Sequence, residues 1–336
     1  MTVAAYVAKA QRRLAGCSPR SWHRAAMVDA AEVRAALAGG DWRREQALHT
    51  VTDVAVFTVR GPRGEAGVLK VSATASGMAG LRRERDVLSE LRSDPQMGDW
   101  RSLLPVVLDA GNAGDGAFLL TSRLPGLNGR EFPLASASGL TSAAIDVIAP
   151  LHRRNQRVRR VDEELLSRWV NEPTDQIRMT LRSEWGIDRL AEALRADLAG
   201  RTLTLGWTHG DYHRGNLLAS AAGQVTGIVD WGEAGDQDLP ILDVAFWLLA
   251  TPGPGQPREF GRRVAARLAS GQFWTPAERH LLSGMTDADM AFGPTLLLLV
   301  WLRHVASNLA KSERYAGSPL WLRWNVLSVL RQVSRG

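Results

Sequence analysis

The segment from His209 to Trp231 constrains this chain more than any other. It opens as His209-Gly210-Asp211-Tyr212-His213-Arg214-Gly215-Asn216 and closes as Gly227-Ile228-Val229-Asp230-Trp231. Between these ends, residues 217–220 and 225–229 are short apolar runs flanking the Gly-containing stretch 221–224. That pattern predicts a β-hairpin with a longer turn. Gly223 lies midway between Asn216 and Asp230, so closing the hairpin sets that amide and carboxylate side by side at its open end. Together they form half a cage for Mg²⁺, which keeps waters and takes phosphate oxygens as its other ligands. Phosphoryl transfer also needs a carboxylate near the attacking hydroxyl, and Asp211 fills that place. Singly, Asp211 reads as a turn cap and Asp230 as a strand-end acid. The whole arrangement carries the reading.

These residues resemble the aminoglycoside phosphotransferase family, within the wider kinase-like superfamily that includes choline and fructosamine kinases. The match rests on His209-Gly210-Asp211 with Asn216, then Ile228-Val229-Asp230-Trp231, at the family's spacing. The resemblance implies that Asp211 is the catalytic base and that Asn216 and Asp230 bind magnesium. It implies that Asp243 opens the next helix and braces the catalytic loop. His209, which opens the motif, and Arg214, suited to offset charge on the phosphoryl in transfer, are further catalytic candidates. The family's Gly-Asp-Pro-like stretch before Asp243 is one residue longer here, 235–240, so Asp236 and Asp238 both stay open. The resemblance covers roughly residues 50–250.

The upstream half should then hold a nucleotide. Residues 54–59 and 67–72 are β-rich runs joined by the turn-forming stretch 60–65. Lys70 lies inside the second run. Of 41 basic residues only Lys9, Lys70 and Lys311 are lysines, so a lysine in an apolar strand stands out. A compact ammonium serves as a point charge on phosphates; the alternative is an edge-strand lysine facing water. Apolar residues at 81, 87, 88 and 91 predict a helix. By its place in the family motif, Glu84 pairs with Lys70; a surface pair with neighbouring arginines, or a role for Asp86 or Glu90, remains open. Residues 117–122 form an apolar strand ending in Arg123-Leu124, which looks like the hinge that meets the base through Ser122, Arg123 and Leu124. Backbone contacts carry no side-chain signature, so ATP and GTP fit equally.

Kinase-like folds often cover the phosphates with a glycine-bearing turn, and residues 41–60 contain no glycine. The candidate turn is 49–53, where Thr50 and Thr52 offer hydroxyls and amides but Asp53 offers only repulsion. There is no Walker-type P-loop. His152, on an amphipathic segment leading to the catalytic loop, reads as structural. By chain position His213 and Glu233 lie near the acceptor.

Composition narrows the rest. The chain has 336 residues, enough for two lobes with their own cores. A net charge of +6 makes a neutral or anionic acceptor a better fit than a polycation. Arginine clusters at 82–85 and 153–160 match no nucleic-acid module, and nucleic acid is not expected as a partner. The N-terminal stretch 1–13 reads as an amphipathic helix, not a signal peptide. The longest apolar run, 296–302, is too short to span a bilayer. Cys17 is the only cysteine, which fits a reducing cytoplasm. Residues 161–200 and 257–336 read as helical, acceptor-binding regions. Trp274, Trp301, Trp321 and Trp324 there either stack on a base or sugar face or fill the core.

The expected fold is α+β: a two-lobed, protein-kinase-like fold. A small sheet-bearing N-lobe, with an N-terminal helical extension, occupies residues 1–122. A mainly helical C-lobe, 123–336, carries the catalytic loop, metal site and acceptor site. The implied activity is transfer of the γ-phosphoryl of a Mg²⁺-bound nucleotide to an alcohol on an antibiotic, nucleoside or sugar-like acceptor. A metabolic kinase of choline, homoserine or sugar type, and a catalytically silent kinase-like module, are the alternatives. Asp230-Trp231-Gly232 stands where a protein kinase has Asp-Phe-Gly, and no Ala-Pro-Glu follows.

Overall fold

Along residues 66–71, in the strand that carries Lys70, burial alternates from one residue to the next. The computed structural model describes residues 33, 36–37, 41–48, 50, 52–132, 137–181, 186–253, 255–283, 285 and 293–335. The expected N-terminal helix, Cys17, and positions 49 and 51 of the expected phosphate turn lie outside these residues. Strands β1 (Arg43–Leu48), β2 (Ala55–Arg60), β3 (Ala66–Ser72), β4 (Val107–Ala113) and β5 (Gly116–Ser122) form one antiparallel sheet in the order β1-β2-β3-β5-β4. Val59, Leu69, Val71 and Leu120 are buried on one face with Phe57 and Phe118. Because successive side chains alternate, Lys70 points to the other face. It sits opposite Val56 on one side and Leu119 on the other, so its strand is central, not an edge.

Helix α1 (Ala75–Ser93) covers that other face. The Thr74 hydroxyl caps it, accepting from the Gly77 amide at 3.2 Å. Leu81, Glu84, Val87, Leu88 and Leu91 form its buried stripe. Val87, Leu88 and Leu91 belong to the core of the following, larger part of the chain. The helix is therefore shared between the two halves.

The remainder is mainly helical: α2 (Ala137–Arg153), α3 (Glu172–Leu181), α4 (Ile187–Leu198), α5 (Ile241–Ala250), α6 (Phe260–Ser270), α7 (Pro276–Leu282) and α8 (Pro294–Lys311), with shorter turns between. Two small antiparallel sheets serve the site. One joins β6 (Leu127–Asn128) to the hairpin β9 (Leu217–Ala219) and β10 (Val225–Ile228); the other orders β7 (Arg157–Arg160), β8 (Thr202–Thr208) and β11 (Gly235–Asp238) as β11-β8-β7.

The 296–302 run lies in α8 and is buried throughout. Beyond it, Arg303, Ser307 and Lys311 recur every four residues and so share one face. No helix among the described residues is long and apolar enough to cross a membrane. Trp231, Trp247, Trp274 and Trp301 fill the core, while Trp321 and Trp324 are half-buried. The turn before β2 is tied across the molecule: the Ser312 hydroxyl donates to Asp53 Oδ1 at 2.7 Å, and Ser72 donates to the Asp53 carbonyl at 2.9 Å.

Candidate active site

The loop after β8 is built around one buried carboxylate. Asp243, in the first turn of α5, accepts from the His209 amide at 2.7 Å and the Gly210 amide at 2.9 Å. His152 Nε2 lies 3.0 Å from its Oδ2, so the α2 histidine completes the brace. Burial raises the Asp243 carboxyl, but the His152 hydrogen bond and nearby cations outweigh it and hold it below the usual range. Gly210 is at φ +82°, and a Cβ there would lie 2.2 Å from the Glu233 carbonyl oxygen. Only glycine fits that crossing.

His209 is wholly buried. Its Nε2 lies 3.0 Å from the Val229 carbonyl, and its Nδ1 is 3.3 Å from the Asp211 amide. Those contacts fit the tautomer in which Nε2–H donates and Nδ1 accepts, and they use both ring nitrogens to tie the loop to the hairpin.

Asp211 is half-buried in the cleft. The Lys311 ammonium lies 3.3 Å from its Oδ2, and His213 Nε2 lies 3.8 Å from its Oδ1. Burial raises this carboxyl too. Lys311 first, then His213, His304 and His209, outweigh that and hold it well below the usual carboxylate range. It is ionised at neutral pH.

The hairpin brings Asn216 and Asp230, the expected metal ligands, to its open end. Leu217 pairs with Ile228, and the Val229 amide donates to the Asn216 carbonyl at 2.9 Å. Asn216 Nδ2 donates to the Asp211 carbonyl at 2.9 Å, which leaves its Oδ1 as the acceptor available to a cation. Asp230 is at φ +70°, a left-handed conformation that costs energy in a residue with a Cβ and concentrates at functional sites. Among the described residues no group of three or more His, Cys, Asp or Glu could hold a metal. One amide oxygen and one carboxylate instead fit a Mg²⁺ ion that is shared with phosphate oxygens.

Lys70 spans the cleft from the sheet. Its ammonium is 2.7 and 2.8 Å from the two Glu84 oxygens and 3.0 Å from Asp230 Oδ1. Burial lowers such an ammonium, but Asp230 and Glu84 outweigh it and keep it firmly protonated. Conversely, Lys70 holds the Asp230 carboxyl down. Of the rival acids, Asp86 pairs with Arg85 at 2.7 Å and Glu90 with Arg154 at 3.4 Å, both away from Lys70.

The remaining expected residues are placed as follows. The Thr50 hydroxyl donates to the Val54 carbonyl at 2.8 Å, and Thr52 is half-buried. Ser122 exchanges hydrogen bonds with Val106, its hydroxyl accepting from the Val106 amide at 2.8 Å. The Arg123 amide donates to Ala66 at 3.0 Å. Leu124 packs on the hairpin: a Cβ on Gly227 would meet its Cδ1 at 2.6 Å. Arg214 does not turn toward Asp211; its Nε and Nη2 donate to the carbonyls of Gly129 at 2.9 Å and Phe132 at 2.6 Å. His213 Nδ1 accepts from the Gly215 amide at 2.9 Å, and burial pushes its ring below the usual imidazole range. Glu233 accepts from Ser307 at 3.0 Å and lies 3.7 Å from Lys311. Of the two open acids in β11, Asp238 is buried and paired with Arg303, whereas Asp236 is half-exposed, 3.7 Å from Arg157.

Sequence reasoning missed the polar face of α8. Arg303, His304, Ser307, Asn308 and Lys311 line one pocket with Gly210, Asp211 and Phe246. The available signal was the rarity of lysine: both lysines among the described residues lie in this cleft.

The chain matches the phosphotransferase enzyme family over residues 46–282, well over half its length, and it belongs to that family. Its likeness to solved structures lies in the fold. A thermostable mutant of aminoglycoside phosphotransferase APH(4)-Ia, in ternary complex with AMP-PNP and hygromycin B, is 15% identical with a TM-score of 0.58, covering 91% of this chain and 99% of that one. Aminoglycoside phosphotransferase APH(4)-Ia itself is 16% identical with a TM-score of 0.52, covering 90% and 99%. APH(3'')-Id from Streptomyces rimosus is 19% identical with a TM-score of 0.50, covering 82% and 99%. The architecture is thus the two-lobed, kinase-like α+β fold. No curated protein matches the chain by sequence.

Proposed function

We propose that this chain is a small-molecule O-phosphotransferase that moves the γ-phosphoryl of a Mg²⁺-bound ATP or GTP to an alcohol. The observation that carries the reading is the convergence of Asp211, Asn216, Asp230 and the Lys70–Glu84 pair on one cleft. In this reading residues to 122 hold the nucleotide. Ser122, Arg123 and Leu124 lie along the base, Thr50 and Thr52 near the phosphates, and Lys70, oriented by Glu84, meets the phosphate charge. Residues from 123 onward supply the base, the metal ligands and the acceptor site.

Asp211, already ionised, orients the acceptor hydroxyl and takes its proton as the oxygen attacks phosphorus. The bond from phosphorus to the β–γ bridging oxygen breaks, and the nucleoside diphosphate leaves. Magnesium held at Asn216 and Asp230 supplies charge neutralisation at the phosphates. Asp243, His209 and Arg214 act as braces that hold the loop in register, not as groups touching the reacting atoms. His213 and Glu233 face the acceptor.

A neutral or anionic substrate is favoured over a polycation, because Lys311 already offsets part of the Asp211 and Glu233 charge. An antibiotic, nucleoside or sugar-like alcohol fits that chemistry, in resistance or in biosynthesis, in the cytoplasm. Lys311 weighs against choline, a cation. The intact set of acids and Lys70 weighs against a silent module.

The test is incubation of the protein with Mg²⁺ and ATP or GTP in parallel against pooled acceptors: aminoglycosides, nucleoside antibiotics, neutral sugars, choline and homoserine. Mass spectrometry should find one acceptor heavier by one phosphoryl group, and Asp211→Asn should remove the product. No product, together with no Mg²⁺-dependent nucleotide binding, would overturn the proposal.

A further inference from the structure

We propose that Lys311, from the far end of α8, is the catalytic cation that contacts the phosphoryl group in transfer; this rests on the phosphotransferase reading above. An acceptor oxygen served by Asp211 must lie within about 3 Å of that carboxylate. Lys311 Nζ is itself 3.3 Å from Asp211 Oδ2, so it stands beside the position the oxygen must take. The phosphoryl group travels from the side of Asn216 and Asp230 toward that oxygen, and the Asp230 charge already acts on Lys311.

The ammonium also has donors to spare. Among the described residues its one hydrogen bond is to Asp211, and Glu233 at 3.7 Å adds charge without a bond. Two N–H groups thus remain for non-bridging phosphoryl oxygens. Glu233 is itself held by Ser307, one turn earlier on α8, at 3.0 Å. That contact positions the lysine between two acids.

Neither Arg214 nor His304 has this geometry. Arg214 spends its Nε and Nη2 on the carbonyls of Gly129 and Phe132. His304 accepts at Nε2 from Asn308 at 3.0 Å, the arrangement of a neutral ring. As the acceptor oxygen bonds to phosphorus and the leaving oxygen departs, Lys311 keeps its proton and offsets charge on the equatorial oxygens. A cation aimed at that charge stabilises the transition state more than the bound nucleotide.

The test compares two ligands in calorimetry on the whole protein. Mg²⁺–AMP-PNP mimics the ground state, and Mg²⁺–ADP with aluminium fluoride mimics the phosphoryl group in flight. Lys311→Met should bind AMP-PNP within about threefold of wild type and the fluoride complex about 100-fold more weakly. Lys311→Arg should recover part of that loss. Thermal melting of each variant separates misfolding, which would weaken both ligands alike. Equal affinities of wild type and Lys311→Met for the fluoride complex would overturn the role of Lys311 alone. A wild-type protein that binds neither ligand in the presence of Mg²⁺ would overturn the phosphotransferase reading with it.

Discussion

The two walls of the cleft each bring one ammonium to the acids, and they hold it differently. On the sheet side Lys70 is locked in a central strand, with both Glu84 oxygens within 2.8 Å and Asp230 at 3.0 Å. On the helix side Lys311 ends a helix, with one hydrogen bond at 3.3 Å and a second acid at 3.7 Å. A cation clamped on both sides suits a charge that stays put, such as the phosphates of a bound nucleotide. A cation with free donors suits a charge that moves. In the proposed reading, the sheet side serves binding and the helix side the chemical step.

Variants can break this contrast. Lys70→Met should weaken Mg²⁺-nucleotide binding and lower turnover by about 100-fold or more. Titration with AMP-PNP checks it, and wild-type affinity would remove the division of labour. Asp243→Ala should cost about 3 kcal/mol of stability, because two buried amides and His152 lose their common acceptor. Denaturant unfolding reads that loss. Asp86→Asn, whose partner is the exposed Arg85, should change stability by no more than about 0.5 kcal/mol.

The pH dependence sharpens the same contrast. Asp211 must be ionised to act, and its carboxyl is held well below the usual range. Wild-type turnover should therefore show no acid limb from Asp211 above about pH 4. In Lys311→Met the largest charge opposing burial of Asp211 is gone, while the Asp230 charge still acts against ionisation. The carboxyl rises, and activity falls at a higher pH than in wild type. Because its folded pKa is depressed, Asp211 contributes stability above its unfolded value, and that stability is lost as pH falls through the folded one. His304, pushed down to about 4 by burial, adds a loss of stability as pH falls from about 6.5 toward that value.

What could be read in the chain follows from sequence distance. Asp211, Asn216 and Asp230 sit on one loop and hairpin, and Lys70 and Glu84 on a strand and the next helix. Local periodicity and turn chemistry place the elements that carry these residues, and the resemblance to the family pairs Glu84 with Lys70. Lys311 is one hundred residues from Asp211 and reaches it only because the buried stripe of α8 fixes which face its polar residues present. The run 296–302 says how long the apolar stretch is, not where position 311 will point. Arg214 shows the converse: a place inside the catalytic loop did not predict that its guanidinium would serve two backbone carbonyls. Asp53 was expected only to repel phosphate, yet its side chain is occupied by Ser312 across the molecule.

The central claim is that Asp211 is the base for phosphoryl transfer in this cleft. The most direct measurement is single-turnover transfer from γ-labelled Mg²⁺-nucleotide, with water or an identified acceptor, in wild type and Asp211→Asn. The account predicts a loss of about 1,000-fold with nucleotide affinity unchanged within about threefold. Transfer at the wild-type rate in Asp211→Asn would contradict it.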